Sequence, residues 1–340
     1  MKNRDNLTAQ INSANIIKTT NIINIPKNFP FKLATTSFIF PDRIVPNVKR
    51  LGSFFDEIEL LIFESRPFIP KKQKVKIETI EVLPSSEEIK ELVELSQSLD
   101  LTYNVHLPVD ISLTDISKAE RINAIDTVKR VLELCEPLNP TTHTLHIDCN
   151  LQKLSDNFQK SDNKSYHAHV HNNDNNNAHY QEQINHWRER AAQSLKIIAS
   201  SISDPSIISI ETLDYPFEYI SDIVDEYSFS VCIDAGHLIR YGYKNGSQIE
   251  ASFDIKSLFE RYRKRIPLIH LHGVDFSSDI SQFIPKDHQS LDSTPPSMLA
   301  PTMNLLREFT GVVSLEVFNY DHLFASLTFL NNFFMNTQHS

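Results

Sequence analysis

From Phe31 onward, short apolar runs alternate with longer stretches in which apolar side chains recur every three or four positions. Short runs read as buried strands and the longer periodic stretches as helices with one apolar face. The runs are Phe31 to Phe40, Ile58 to Phe63, Leu101 to Leu107, Thr142 to Ile147, Ser206 to Ile210, 229 to 233, Leu268 to Leu271 and Val312 to Val317. Between them, Asp42 signals a helix carrying Ile44, Val48 and Leu51, and Ser85-Ser86-Glu87-Glu88 reads as a helix cap ahead of Ile89, Leu92, Val93, Leu95 and Leu99. Further helices are expected over Ala119 to Leu138, Ile184 to Ile202, Pro216 to Tyr227, Ile255 to Arg265, Met298 to Phe309 and Leu323 to Phe334. Strand and helix in strict alternation give parallel βα units, and eight of them predict a closed (β/α)8 barrel over residues 31 to 335.

The rhythm fails twice. Residues 1 to 30 are rich in Asn, Ile, Thr and Lys and read as a loosely ordered lead-in. Residues 151 to 181, after the fourth strand, form a low-complexity insertion rich in His and Asn with little to bury. Its His167, His169, His171 and His179 could bind a transition metal loosely, but a tolerated loop expansion is the simpler reading.

Composition narrows the functional classes. The chain of 340 residues is 40% hydrophobic, enough for a sizeable core, and carries 33 Lys plus Arg against 43 Asp plus Glu. A net charge of −10 is the wrong sign for affinity gained by neutralising nucleic-acid phosphates, so no nucleic-acid partner is expected. Cys135, Cys149 and Cys232 form no CxxC pair, which argues against a disulfide framework or a cysteine zinc site. No apolar run approaches the roughly 20 residues of a membrane helix, and no secretory h-region is present, so a cytoplasmic protein without membrane contact is expected. Oligomeric state is left open.

Several predicted strands end on acids or histidines: Glu64, His106, His146, Glu211, Asp234 with His237, His270 with His272, and Glu316, with Asp287 and His288 on the loop after the seventh strand. In a barrel these side chains converge on the C-terminal mouth, where enzymes of this architecture keep their chemistry. Singly, each has an ordinary reading, a hydrogen-bonded core histidine or an acid paired with a lysine. Together they are too many polar groups at strand ends to bury without a cation. Imidazole and carboxylate ligands without cysteine suit zinc or manganese in a catalytic site, and the donors outnumber what one ion takes, so two or more ions are expected. Asp148 and Asp275 read as loop or capping residues.

Thr-Leu-His146, Ile210-Glu211-Thr, Val231-Cys-Ile-Asp234-Ala-Gly-His237, Leu268-Ile-His270 and Leu315-Glu316 resemble the xylose-isomerase-like barrels, which include sugar isomerases and epimerases and the endonuclease-IV-type apurinic endonucleases. The resemblance implies that Glu211, Asp234, His270 and Glu316 are the four metal ligands common to that superfamily, with Glu211, Asp234 and Glu316 the carboxylates on which catalysis depends. It further implies that His106 and His146 belong to the multinuclear site of the endonuclease branch, with Glu211 bridging and His237, Asp287 and His288 at a third metal. The endonucleases carry an Asp-x-His pair where Asp287 and His288 are adjacent, a departure that bears on that third site.

Within that branch, Phe31-Lys-Leu-Ala-Thr-Thr-Ser37, Ile58-Glu-Leu-Leu-Ile-Phe-Glu64, Tyr103-Asn-Val-His106-Leu-Pro and Lys286-Asp-His288-Gln-Ser-Leu resemble the cobamide-remodelling hydrolases. The implied activity is cleavage of a cobamide nucleotide loop at its phosphoester, giving cobinamide phosphate and an α-riboside. The implied partner is therefore a small-molecule corrinoid, for which Tyr241, Tyr243 and Phe276 are candidate contacts. A sugar isomerase or epimerase and an apurinic endonuclease are the alternatives.

Overall fold

A computed structural model describes residues 29–66, 82–149, 174–244, 255–276 and 285–335. The chain forms the strands β1 (Lys32–Thr36), β2 (Glu57–Leu61), β3 (Thr102–His106), β4 (His143–Leu145), β5 (Ile208–Glu211), β6 (Ser230–Asp234), β7 (Leu268–Leu271), β8 (Gly273–Asp275), β9 (Lys286–Gln289) and β10 (Val312–Leu315). Eight of them, β1 to β7 and β10, are parallel and close into a barrel. The order around the barrel follows the sequence, with β10 closing onto β1. The (β/α)8 expectation holds.

The helices are α1 (Ile44–Leu51), α2 (Ser86–Leu99), α3 (Lys118–Cys135), α4 (Asp174–Ala199), α5 (Glu218–Glu226), α6 (Ala235–Lys244), α7 (Ile255–Tyr262), α8 (Pro296–Leu305) and α9 (Tyr320–Met335). Their apolar faces pack on the outward faces of the strands in one continuous core that includes Leu92, Val128, Leu195, Val224, Leu258 and Leu327. Each such side chain, fully buried, stabilises the fold by roughly 1.5–3 kcal/mol. The predicted cap of α2 forms as a reciprocal box: the Glu88 backbone N–H donates to Ser85 Oγ at 3.2 Å, and the Ser85 N–H donates to Glu88 Oε2 at 2.9 Å.

The structure differs from the pattern-based expectation in three places. Helix α4 starts at Asp174, ten residues before the expected Ile184 and inside the predicted low-complexity tract. Asn and His are indifferent helix formers, but the buried stripe of Ile184, Trp187, Ala191, Leu195 and Ile198 anchors a helix that propagates toward its N-terminus at little further cost. The rest of the insertion, including His167, His169 and His171, lies outside the described residues, as do residues 1–28. Helix α6 was not anticipated, because Gly236 and Gly242 interrupt its apolar period. Nor was the antiparallel hairpin of β8 and β9, which returns the chain to the mouth after β7.

The barrel interior sorts by depth. Ala34, Cys232, Leu268 and Val312 form a small apolar cluster near the N-terminal end, separate from the main core. Successive inward positions toward the C-terminal end become polar: Ser314, Glu59 and His270, then Glu211, Asp234 and Glu316, all buried.

A candidate metal centre at the mouth of the barrel

Parallel register sets the first group. Asp234 lies beside His270, and His270 beside Ser314, so ligands borne by β6, β7 and the end of β10 meet without any long excursion of the chain. His270 Nδ1 stands 2.9 Å from Glu211 Oε1, 3.3 Å from Glu316 Oε2 and 3.8 Å from Asp234 Oδ2. Asp234 Oδ1 accepts from the His237 N–H at 2.6 Å and so caps α6, while its own N–H donates to Thr212 Oγ1 at 2.8 Å. Its Oδ2 and Glu316 Oε2 are buried with no hydrogen bond among the described residues. Orphaned carboxylate oxygens converging on an imidazole nitrogen fit a divalent cation, and the four residues form one group of donor atoms.

Electrostatics agree with that fit. Burial raises Glu316 well above the usual carboxylate range; His270 pulls it down, and negative Glu211, Glu59 and Asp234 add to the rise. Burial would raise Glu211 too, but His146 and His270 hold it well below that range. A divalent cation would compensate these buried carboxylates.

A second group shares Glu211. His106 Nδ1 lies 2.9 Å from the Leu107 carbonyl, a contact that places the proton on Nδ1 and turns the Nε2 lone pair toward Glu211 Oε2, 3.4 Å away. His146 Nε2 stands 2.6 Å from the same oxygen. Glu211 thus offers Oε1 to one group and Oε2 to the other, the arrangement of a bridging carboxylate between two ions.

The third group holds His237, His272 and His288. Gly236 makes room for it: a Cβ at that position would come within 2.0 Å of the His272 ring. His288 adopts a left-handed backbone, φ 52°, uncommon for a residue with a side chain. Its N–H donates to His272 Nδ1 at 3.0 Å and its Nδ1–H to the Glu316 carbonyl at 3.1 Å, leaving Nε2 to face the group. Burial, together with the neighbouring His272 and His237 imidazoles, lowers His288 to about 3, so it is neutral and able to ligate near neutrality.

Of the expected donors, His106, His146, Glu211, Asp234, His237, His270, His288 and Glu316 all fall in these groups. Asp287 does not. Arg240 engages it through Nη1 and holds Asp214 through Nε at 3.1 Å and through Nη2, while Asp287 Oδ2 stays 4.0 Å from His237 Nδ1. Asp287 is thus the partner of a cation already in the chain, and His272 stands in the third group instead. Glu64 is exposed and apart from the centre. The inward acids of β2 are Glu57 and Glu59, which the alternation of Glu57-Ile-Glu59-Leu-Leu would have shown. Arg240 lies on the unanticipated α6, so nothing in the pattern draws attention to it.

Aromatic rings border the three groups. Phe63 meets His106 edge-on at 5.0 Å, Phe318 lies 4.7 Å from His288, and Phe38, 51% exposed, packs on Phe318. Phe63 and Phe318 border the centre directly, and Phe38 extends that wall outward. Tyr241 is half-buried on α6 and Phe276 half-buried beyond β8, while the side chain of Tyr243 lies outside the described residues.

Comparison with known proteins agrees with this architecture. A D-tagatose 3-epimerase-like protein superposes with a TM-score of 0.62 at 15% identity, over 91% of this chain and 100% of the other. Endonuclease IV from Thermus thermophilus gives 0.55 at 11% identity, over 90% and 99%. The IOLI protein with a bound zinc atom gives 0.54 at 14% identity, over 91% and 96%. At these identities the likeness is one of fold. No curated protein sequence matches the chain significantly. No helix among the described residues is long and apolar enough to cross a membrane. The sequence profile of the xylose isomerase-like TIM barrels matches residues 45–332, and the chain belongs to that family.

Proposed function

We propose that the protein is a metal-dependent hydrolase of cobamides, cleaving the phosphoester of the nucleotide loop to release cobinamide phosphate and an α-riboside. The observation that carries the reading is Glu211 shared between two donor groups, with His106 and His146 on one oxygen and His270 on the other. A mononuclear isomerase has no use for His106 and His146 at that spacing, whereas an in-line displacement at phosphorus uses a clamp on both the entering and the leaving oxygen.

Glu211, Asp234, His270 and Glu316 would hold one divalent ion, His106, His146 and Glu211 a second, and His237, His272 and His288 a third. Zinc suits the imidazole-rich sets, and manganese the carboxylate-rich one. Bound ions would supply Lewis-acid stabilisation of charge on the phosphoryl oxygens and acidify water at the centre. In the reaction a water oxygen bonds to phosphorus, the bond from phosphorus to the ribose oxygen breaks, and that oxygen takes up a proton. The chain's own residues orient this chemistry. His106 and His288 are fixed in one tautomer by the Leu107 and Glu316 carbonyls, and Asp234 is fixed by the N-terminus of α6.

Three features favour a corrinoid over nucleic acid: the short motifs shared with the cobamide-remodelling hydrolases, a net charge of −10, and the apolar wall of Phe38, Phe63 and Phe318 beside the centre. The four-residue group with its two glutamates favours a second reading, a sugar epimerase. Incubation of the zinc- or manganese-loaded protein with cobalamin decides between them. Cobinamide phosphate in the chromatogram, abolished by chelator, is the expected result. Intact cobalamin from fully loaded protein would overturn the proposal.

A further inference from the structure

Two glutamates sit two residues apart on β2, both fully buried inside the barrel. Glu57 is satisfied in full: Thr102 Oγ1 donates at 2.6 Å and Thr141 Oγ1 at 2.7 Å to Oε2, and Asn104 Nδ2 donates at 2.9 Å to Oε1. Glu59 is not. Ser314 Oγ donates to its Oε2 at 2.6 Å, but Oε1 has no hydrogen bond and faces His270 Nε2 at 2.8 Å, which has none either. The separation is that of a hydrogen bond with the N–H direction off line. A buried carboxylate left so incomplete costs several kcal/mol unless another state of the protein completes it.

The opposite edge of the same imidazole identifies that state. His270 Nδ1 points into the four-residue group and hydrogen-bonds Glu211 Oε1 at 2.9 Å. A cation accepted there requires the Nδ1 lone pair, which confines the imidazole proton to Nε2, in front of Glu59. We infer that Glu59 is a positioning residue for the metal centre, the carboxylate that selects the Nε2–H tautomer of His270 and presents Nδ1 to the ion. The inference rests on the proposed occupancy of this group by a divalent ion and is independent of the substrate. Carboxylates that orient a metal-bound histidine contribute about 10- to 100-fold in metal affinity.

The test measures zinc affinity by competition with a chromophoric chelator, in the full chain carrying His106→Ala and His237→Ala so that the four-residue group is read alone. Glu59→Gln is expected to weaken zinc about 10- to 100-fold, and Glu59→Asp, which keeps the charge but withdraws it, to fall between. Glu57→Gln, which alters an equally buried carboxylate without contact to a ligand, should leave affinity within a factor of about two. In nitrogen-15 spectra of the zinc-loaded protein, the exchange-protected His270 Nε2–H is expected with Glu59 and lost in Glu59→Gln. Equal affinities for the Glu59 and Glu57 variants would overturn the inference while the metal centre stands. Should Glu59→Gln fail to fold, Glu59→Asp against Glu57→Gln decides by the same comparison. Absence of zinc from the background protein itself would overturn both the metal centre and this inference.

Discussion

The barrel interior is polar at the mouth and, beside the apolar cluster of Ala34, Cys232, Leu268 and Val312, also on the β2 to β5 side of its N-terminal end, but in opposite ways. Near the N-terminal end every oxygen of Glu57 finds a hydroxyl or amide, and Thr142 and Ser209 share a hydrogen bond of 2.6 Å. At the mouth, Asp234 Oδ2, Glu316 Oε2 and His272 Nε2 are equally buried and have no hydrogen bond among the described residues. Burial of a polar atom is therefore not the mark of a site. What distinguishes the mouth is convergence of unsatisfied donor atoms on a common point, since a satisfied network is structure and an unsatisfied one awaits a ligand.

The largest expected effect comes from the residue on which two groups depend. Glu211→Gln removes the charge shared by His106, His146 and His270, and should lower cobalamin hydrolysis on the order of 10³-fold, comparable to loss of a principal electrostatic element in other enzymes. Metal analysis should show occupancy falling in two groups at once. Full occupancy with full activity would mean that the convergence at the mouth is incidental. Next comes the pair His106→Ala and His146→Ala, expected to lower turnover about 100-fold while the four-residue group still binds its ion. If an epimerase reaction is found and survives both substitutions, the phosphoester reading fails.

A third contrast separates neighbours in sequence. His288→Ala should weaken metal at the three-histidine group by about 100-fold, and Asp287→Ala by less than about 10-fold, because Asp287 is held by Arg240 and stands 4.0 Å from His237 Nδ1, outside the donor group. Competition titration with zinc reads both. Equal losses would return Asp287 to the ligand set.

How much of this was legible beforehand follows from where each residue lies. Donors on strands were readable, since a strand's direction and the spacing of βα units fix which end its last residue reaches. His106, His146, Glu211, Asp234, His270 and Glu316 were found in that way. Glu64 falls outside the centre because the period of two along β2 puts Glu57, Glu59 and Leu61 on one face and leaves Glu64 out of step with them. Side chains carried by the hairpin and by α6 depended on elements whose pattern is broken by glycine. Gly236 and Gly273 are there for close approach, to the His272 ring and to the Ser290 carbonyl, and not for any periodic face. The pairing of Arg240 with Asp287 is a tertiary event, and only the fold reveals that it leaves His272 as the third imidazole.

The smallest effect tests burial outside the interior, on the helix-facing side of the sheet that His143 shares with Leu145. His143 begins β4, is buried, and its Nδ1 lies 3.4 Å from the Ile207 carbonyl while Nε2 has no partner. Burial lowers it to about 4 from 6.5, with the Ile207 contact opposing only in part. The unfolded chain then binds a proton that the folded chain refuses between those values, so stability is complete above pH 6.5 and declines as pH falls toward 4. At about pH 5.5 the loss is about 1.4 kcal/mol. His143→Leu removes the titrating group at similar volume. Urea unfolding of the two proteins in excess chelator should therefore show the histidine form losing about that much stability relative to the leucine form as pH falls from about 7 to about 5.5. Chelator leaves the ligand histidines metal-free in both proteins, so their titration cancels in the difference. A difference that stays constant across that range would mean that His143 is solvated when folded. Burial against the helices would then not keep an unpartnered imidazole dry, and the unsatisfied atoms at the mouth would be set apart by their convergence alone.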